Sequence, residues 1–330
     1  MAYEPKWDGF RCLVFRDNDD VALISRNGRD LSVYFPEVVA AILANTPPRC
    51  VLDSELVVVQ GDRLDFEKLS QRIHPAQSRI DLLSTTLPAS VVCWDLLALD
   101  DTDLTARPFR ERRELLERAL QHAESPIHLT PITHDLEVAK EWFTRFEGAG
   151  LDGVVAKPLE GAYLPGQRAM VKIKHSREAD VVVAGYRLHK NSTPQAPLLG
   201  SMQLGLFDAE GVLHFVGVAA SFAQAKRAEL AADFAPLTLP EDTAEHPWAN
   251  PEIIGRRPGA ISRWSTELKA TLLISPMLVC TVGYEHMEGT RFRHTAQFRR
   301  WRPDREPESC GFDQLEEVVS YDLAEILGLS

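Results

Sequence analysis

The segment Glu4-Pro5-Lys6-Trp7-Asp8-Gly9-Phe10-Arg11 sets a lysine just ahead of an Asp-Gly turn and an apolar run. A lone lysine is ordinarily a solvated surface group. Held at a strand-edge turn, its amine becomes a nucleophile if neighbouring cations or desolvation lower its pKa, because only the neutral amine attacks. Other charged residues suit the handling of phosphates. Asp53 and Glu55 sit on an apolar strand, and beside a triphosphate Glu55 could hold a ribose hydroxyl or a hard cation. Asp152 and Lys157 flank the very apolar Gly153–Ala156; an inward lysine needs a partner, for which a phosphate is suited. Lys172 and Lys174 are two apart, so on a strand both face one side and could clamp one phosphate chain. Arg291, Arg293, Arg299, Arg300, Arg302 and Arg305 crowd one span, interleaved with Phe292, His294, Phe298 and Trp301. Forked guanidiniums of this kind match phosphate oxygens.

The order of these pieces says more than any one of them. After Lys6-Trp7-Asp8-Gly9-Phe10-Arg11 come Ser25-Arg26-Asn27-Gly28, Asp53-Ser54-Glu55-Leu56, Cys93-Trp94-Asp95, Asp152-Gly153-Val154-Val155-Ala156-Lys157 and Val171-Lys172-Ile173-Lys174. Near the end stands Phe298-Arg299-Arg300-Trp301-Arg302-Pro303-Asp304-Arg305. The series resembles the motifs of the covalent nucleotidyltransferases, which include ATP-dependent DNA ligases, RNA ligases and messenger-RNA capping enzymes. It spans Lys6 to Arg305 and is most similar to the small two-domain actinobacterial ligases of DNA repair. That resemblance implies attack of Lys6 on the α-phosphate of ATP, transfer of AMP from the lysine to a 5′-phosphate, and displacement of AMP by a 3′-hydroxyl at a nick. It assigns ATP contacts to Glu4 on the adenine side, to Trp94 as a stacking ring, and to Arg11, Arg26, Glu55, Lys157, Arg168, Lys172 and Lys174. Arg302 and Arg305 are expected to orient the leaving pyrophosphate, Glu55 and Asp152 to hold Mg²⁺ or Mn²⁺, and Ser25, Arg26 and Asn27 to contact duplex DNA.

Three features depart from the family pattern. The acid opening Asp152-Gly153-Val154-Val155 is usually glutamate, and Arg305 stands where a lysine is common. Arginine keeps the charge but not the compact ammonium. Five residues precede Lys6, where ligases carry a few tens that help cover the adenine. The first domain is therefore read as N-terminally truncated, with Lys6 otherwise on a fraying end.

Positioning these residues takes two domains. Strands are predicted at Cys12–Phe15, Val21–Ile24, Val51–Val59, Val91–Leu97, Val154–Lys157 and Met170–Ile173, with helices at Tyr34–Ala44, Arg110–Gln121 and Leu136–Glu147. They do not alternate regularly, which predicts an α+β nucleotidyltransferase (adenylation) domain on antiparallel sheets over residues 1–175. The polar Lys174–Ala179 reads as a hinge. Strands at Val181–Tyr186, Gln203–Phe207, Leu213–Ala219 and Val279–Tyr284, with one helix near Gln224–Phe234, predict an OB-fold β-barrel over residues 176–330. Pro236–Arg257 reads as a surface excursion, and Leu315–Leu329 as a closing amphipathic helix on an acidic tail.

Composition narrows the field. The 330 residues carry 36 Lys plus Arg against 48 Asp plus Glu, a net charge of -12, so a uniformly basic nucleic-acid coat is excluded and any DNA contact must come from local patches. The acidic excess falls on Asp100–Asp103, Glu241–Glu245 and the C-terminal tail. Five scattered cysteines with no C-x-x-C pair fit a reducing cytoplasm and no structural zinc. No apolar run approaches the roughly 20 residues that span a bilayer. The expectation is a cytoplasmic, nucleoid-associated monomer acting on nicked duplex DNA with repair proteins as partners. No phosphate-binding Gly-rich loop is present. The rivals are an RNA ligase or messenger-RNA guanylyltransferase, and a non-enzymatic acidic barrel module.

Overall fold

The computed structural model describes residues 1–240, 243, 245–250, 252–259, 270–315 and 321–327. The chain divides into two units, Met1–Lys174 with Val318–Ser330, and His175–Glu317. In the first, β1 (Ala2–Pro5), β2 (Phe10–Asp17), β3 (Asp20–Ser25), α1 (Pro36–Asn45), β4 (Arg49–Val57), β5 (Ser90–Leu99), β6 (Thr102–Asp103), α2 (Phe109–Ala119), β7 (Ile127–Leu129), α3 (Leu136–Arg145), β8 (Val154–Lys157) and β9 (Val171–Ile173) follow in chain order. The larger sheet runs β3-β2-β4-β5-β6 with antiparallel neighbours, and β7 joins β5 in parallel. A smaller antiparallel sheet runs β1-β8-β9.

Local chemistry explains these elements. Asn18 turns the β2–β3 hairpin at φ 54°, a region asparagine tolerates, and Pro36 opens α1 with its fixed φ. Val14 of β2, Leu52 of β4 and Cys93 of β5 then bury against Val38 and Ile42 of α1 and Leu116 of α2. Two helices, Phe66–Gln71 and Gln77–Thr86, escape the sequence reading because few of their positions are apolar. Asp65 caps the first by accepting the Lys68 N–H at 2.8 Å.

The second unit holds β10 (Arg177–Leu188), β11 (Leu199–Phe207), β12 (Leu213–Ala219), α4 (Gln224–Phe234), β13 (Leu272–Tyr284) and β14 (Gln297–Trp301). Its antiparallel sheet runs β12-β11-β10-β13-β14 and curls until the Ala296 N–H donates to Val218 O at 2.8 Å beside the end of β12. This is the OB arrangement, with α4 between the third and fourth strands and Leu230 and Phe234 buried in the barrel core.

Four expectations need correction. Residues 177–179 already belong to β10, whose pairing with β13 begins at Arg177, so the polar stretch is not a hinge along its whole length. Pro236–Arg257 is not all surface: Trp248 buries in the barrel core and donates Nε1–H to Leu213 O at 3.0 Å. Residues 241, 242 and 244 of the acidic stretch lie outside the described residues. The closing helix is confined, among the described residues, to α5 (Leu323–Leu327), with 316–320 and 328–330 outside them. This segment belongs to the first unit rather than the barrel domain, because Leu323 and Ile326 complete a cluster with Trp7, Val57 and Phe146. Among the described residues no helix is long and apolar enough to cross a membrane.

His246 yields a pH prediction. Its Nε2 lies 3.0 and 3.1 Å from the Ala184 and Ile274 carbonyls, while its Nδ1 accepts the Trp248 N–H at 3.0 Å. Both contacts are met at once only by the neutral ring with Nε2 protonated, and burial holds the pKa below the usual histidine value. The unfolded chain therefore takes up the proton first, so this contribution is complete above about pH 6.5 and is lost as pH falls below it. Protection factors at Val182 and Val183, with the intrinsic pH dependence of amide exchange divided out, should fall between about pH 7 and 5 and lose that slope in His246→Gln; an unchanged slope contradicts it.

Candidate active site

Two close backbone approaches build the site. The Lys6 N–H donates to Gly153 O at 2.8 Å and the Asp152 N–H returns to Lys6 O at 2.9 Å, continuing the β1–β8 pairing past the strand ends. Lys6 is thus held by a paired strand, not by a fraying end. A Cβ on Gly153 would lie 2.1 Å from Ile173 O, and one on Gly9 would lie 2.0 Å from Leu56 O. Only glycine fits either place, which explains the Asp-Gly step in both motifs.

The Lys6 ammonium lies against Asp152 Oδ2, with side-chain exposures of 15% and 5%. Glu55 on β4 accepts the Gly9 N–H at 3.1 Å. Burial pushes its carboxyl up to about 8, opposed by the charge of Lys6 and the Gly9 N–H. Lys172, on exposed β9, is held below the usual lysine value by partial burial and by the charges of Lys6 and Arg11. Glu55, Asp152 and Lys172 therefore all lie within reach of the Lys6 charge.

Around this centre the cations are fixed by carboxylates. Arg11 grips Asp53 through Nε at 3.0 Å and Nη2 at 2.6 Å, and this pairing raises its pKa. Nη2 also donates to the Tyr163 hydroxyl at 3.0 Å, which donates in turn to Asp53 at 3.0 Å. Glu4 is 2% exposed and meets Lys157 Nζ at 2.5 Å and Arg113 Nη1 at 3.6 Å. Glu4 Oε1 accepts no hydrogen bond, and burial raises the carboxyl above its ordinary value against the pull of Lys157. Lys157 Nζ faces the Phe109 ring at 4.7 Å and the half-buried Trp94 ring at 5.9 Å. Lys157, expected from the sequence to meet a phosphate, is here also paired with a carboxylate of the chain.

Other expected residues fall less centrally. Ser25 ends β3 and its Oγ accepts the Arg29 N–H at 3.0 Å; Arg26 and Asn27 follow on the exposed turn. Arg168 is exposed, and Lys174 lies one residue past β9 rather than on the same strand as Lys172. Arg302 and Arg305 belong to the second unit, where both donate to Asp180. Sequence reading missed Tyr163, Arg113 and Asp180, which act through contacts no spacing rule reports. It also missed Arg112, which pairs with Asp95 at 2.8 and 2.9 Å and donates to Gly161 O at 3.2 Å, fastening the strap that bears Tyr163 and Arg168.

A strand-anchored lysine among carboxylates and arginines, on an antiparallel α+β unit followed by an OB barrel, defines a covalent nucleotidyltransferase. The comparisons narrow this further. Residues 1–174 match the family described as ATP dependent DNA ligase domain and residues 195–305 the ATP dependent DNA ligase C terminal region. The chain belongs to the ATP-dependent DNA ligase family. It is 51% identical to DNA ligase C2 of Mycolicibacterium smegmatis, over 96% of this chain and 90% of that protein. It is 48% identical to DNA ligase C of Mycobacterium tuberculosis, over 99% and 92%. A solved Lig E DNA ligase covers 91% of this chain and 92% of its own, with a TM-score of 0.55 and 15% identity, a likeness of fold alone.

The strap supplies a stability test. Arg112 and Asp95 are both nearly fully buried, so Arg112→Ala strands a buried carboxylate and should cost about 3–5 kcal/mol in chemical denaturation. A loss below about 1 kcal/mol would show that solvent reaches the pair.

Proposed function

We propose that this chain seals nicks in duplex DNA at the expense of ATP, in DNA repair, through a covalent lysyl-AMP intermediate on Lys6. The observation that carries the reading is the Lys6 amine, anchored on both sides by backbone pairing and lying against Asp152 with Glu55 and Lys172 around it. Lys6 Nζ forms a bond to the α-phosphorus as the bond to pyrophosphate breaks. Asp152 Oδ2 orients the amine and is placed to take the proton it loses. AMP then passes to the 5′-phosphate at the nick, and the 3′-hydroxyl displaces it. Ordered side chains replace much of the orientation entropy that free reactants would lose.

The remaining roles follow the same logic. Glu4 Oε1, buried without a donor, suits the adenine amino group, and the half-buried Trp94 offers a ring face to the base. Arg11 reaches the nucleotide with its orientation set by Asp53 and Tyr163. Arg26, Arg168, Lys172 and Lys174 supply exposed positive charge for phosphates, and Arg302 and Arg305 hold the pyrophosphate. Glu55 and Asp152 fit a divalent cation: both are oxygen donors, and burial leaves Glu55, with one N–H donor, short of positive charge. Bound there, Mg²⁺ or Mn²⁺ would offset charge on the transferring phosphoryl group. Ser25, Arg26 and Asn27 meet the DNA backbone. We place the enzyme in the cytoplasm near the nucleoid, as a monomer working with repair proteins.

Two measurements test this. With radiolabelled ATP and metal, the wild type should form a denaturation-resistant AMP adduct that a nicked duplex discharges, and Lys6→Ala should form none; an adduct on Lys6→Ala would overturn the assignment. Nick sealing should fall steeply with added salt while adenylation changes little, because DNA binding displaces counterions from phosphates. Equal salt sensitivity of the two steps would argue against a phosphate-borne DNA grip.

A further inference from the structure

Asp180 on β10 is 6% exposed, yet it carries more cationic contacts than burial of one carboxylate requires. Its Oδ2 accepts from Arg302 Nη1 and from Arg305 Nη1, each at 2.7 Å. Its Oδ1 accepts the Thr281 hydroxyl at 2.5 Å. The Asp180 backbone N–H donates to Gln314 Oε1 at 2.8 Å, and its carbonyl accepts Gln314 Nε2–H at 3.0 Å. The carboxylate is therefore fixed on every side and has no other place to turn. Each arginine is also braced at its other edge. Arg302 places Nε and Nη2 on the exposed Asp304 at 2.9 and 2.8 Å, and Arg305 places them on Ser309 Oγ and O at 3.0 and 2.9 Å.

Two guanidiniums sharing one oxygen would otherwise repel each other. Asp180, buried, offsets one of the two charges and Asp304, exposed, the other, while the arginine side chains stay 25% and 29% exposed and the solvent-facing carboxylate of Asp304 is the one an incoming anion would displace. A buried post with two forked cations fixed on it is suited to an anion with two adjacent phosphoryl groups. We infer that Asp180 is a positioning residue that holds Arg302 and Arg305 as one diphosphate cradle and thereby sets the grip on pyrophosphate in the adenylation step. The inference rests on the proposed role of these two arginines.

The reverse reaction reads this directly. Pyrophosphate oxygen attacks the phosphorus of the lysyl-AMP, the P–N bond breaks, ATP forms and the amine takes up a proton. With full-length adenylated protein, Asp180→Asn should raise the pyrophosphate concentration for half-maximal ATP formation about tenfold or more. Sealing of a pre-adenylated nicked duplex, which releases no pyrophosphate, should change less than about twofold in the same protein, which also reports that it is folded. Thr281→Val keeps the carboxylate and both arginines and should shift the pyrophosphate requirement by no more than about threefold. Unchanged pyrophosphate dependence in Asp180→Asn, or equal losses in both assays, would overturn the inference. Arg302→Ala separates the two levels. If it leaves pyrophosphate dependence unchanged, the assignment of the arginines fails; if it raises the requirement while Asp180→Asn does not, only the role of Asp180 fails.

Discussion

The reciprocal backbone hydrogen bonds between Lys6 and the Asp152-Gly153 step are the constraint on which the site depends. They bind the start of the chain to a segment far along it and leave no freedom in where the Lys6 side chain begins. On either side of this contact, Gly9 lies against Leu56 O and Gly153 against Ile173 O so closely that a Cβ at either place would collide, which fixes both segments in their sheets. Orientation of the amine then costs little further entropy, and Asp152, one residue from the same contact, is delivered to it by the backbone. The chemistry of a flexible, strongly hydrated side chain is thus controlled by main-chain geometry.

The second organising device is the buried carboxylate that gathers cations. Asp53 holds Arg11, Glu4 holds Lys157 near Arg113, Asp95 holds Arg112, and Asp180 holds Arg302 and Arg305. Such pairs add little net stability, because desolvation offsets most of the attraction. Their effect is orientation: each guanidinium or amine is left with one rotamer, and distant segments are tied together. This gives the net charge of -12 a local meaning, since part of the acidic excess is spent within the fold on aiming cations.

Much of this was legible in the sequence where a residue acts through its own type and spacing. Val154–Lys157, Leu213–Ala219 and Gln224–Phe234 have the predicted bounds, because their apolar periodicity is undiluted. Lys6, Glu55 and Asp152 emerged from motif order, and the structure brings them together. Tyr163 and Asp180 did not emerge, because a tyrosine in a polar strap and an aspartate at the head of an apolar strand have no local signature. Their roles exist only through partners more than a hundred positions away. The helices at Phe66–Gln71 and Gln77–Thr86 were missed for a related reason: the first rests on the Asp65 cap and buried Leu69, the second on two buried anchors, Ile80 and Leu83. The C-terminal segment was assigned to the wrong unit because amphipathicity shows that a face is buried but not against what.

That segment has a bearing on biosynthesis. Trp7, Val57 and Phe146 share a cluster with Leu323 and Ile326. A ribosome delivers those last two side chains only after the entire barrel has been translated. The barrel can therefore assemble while the apolar surface beside the Lys6 strand is still uncovered, and the unit synthesised first is the unit finished last. Nascent chains of this topology have a window in which that surface is open to chaperones and to aggregation.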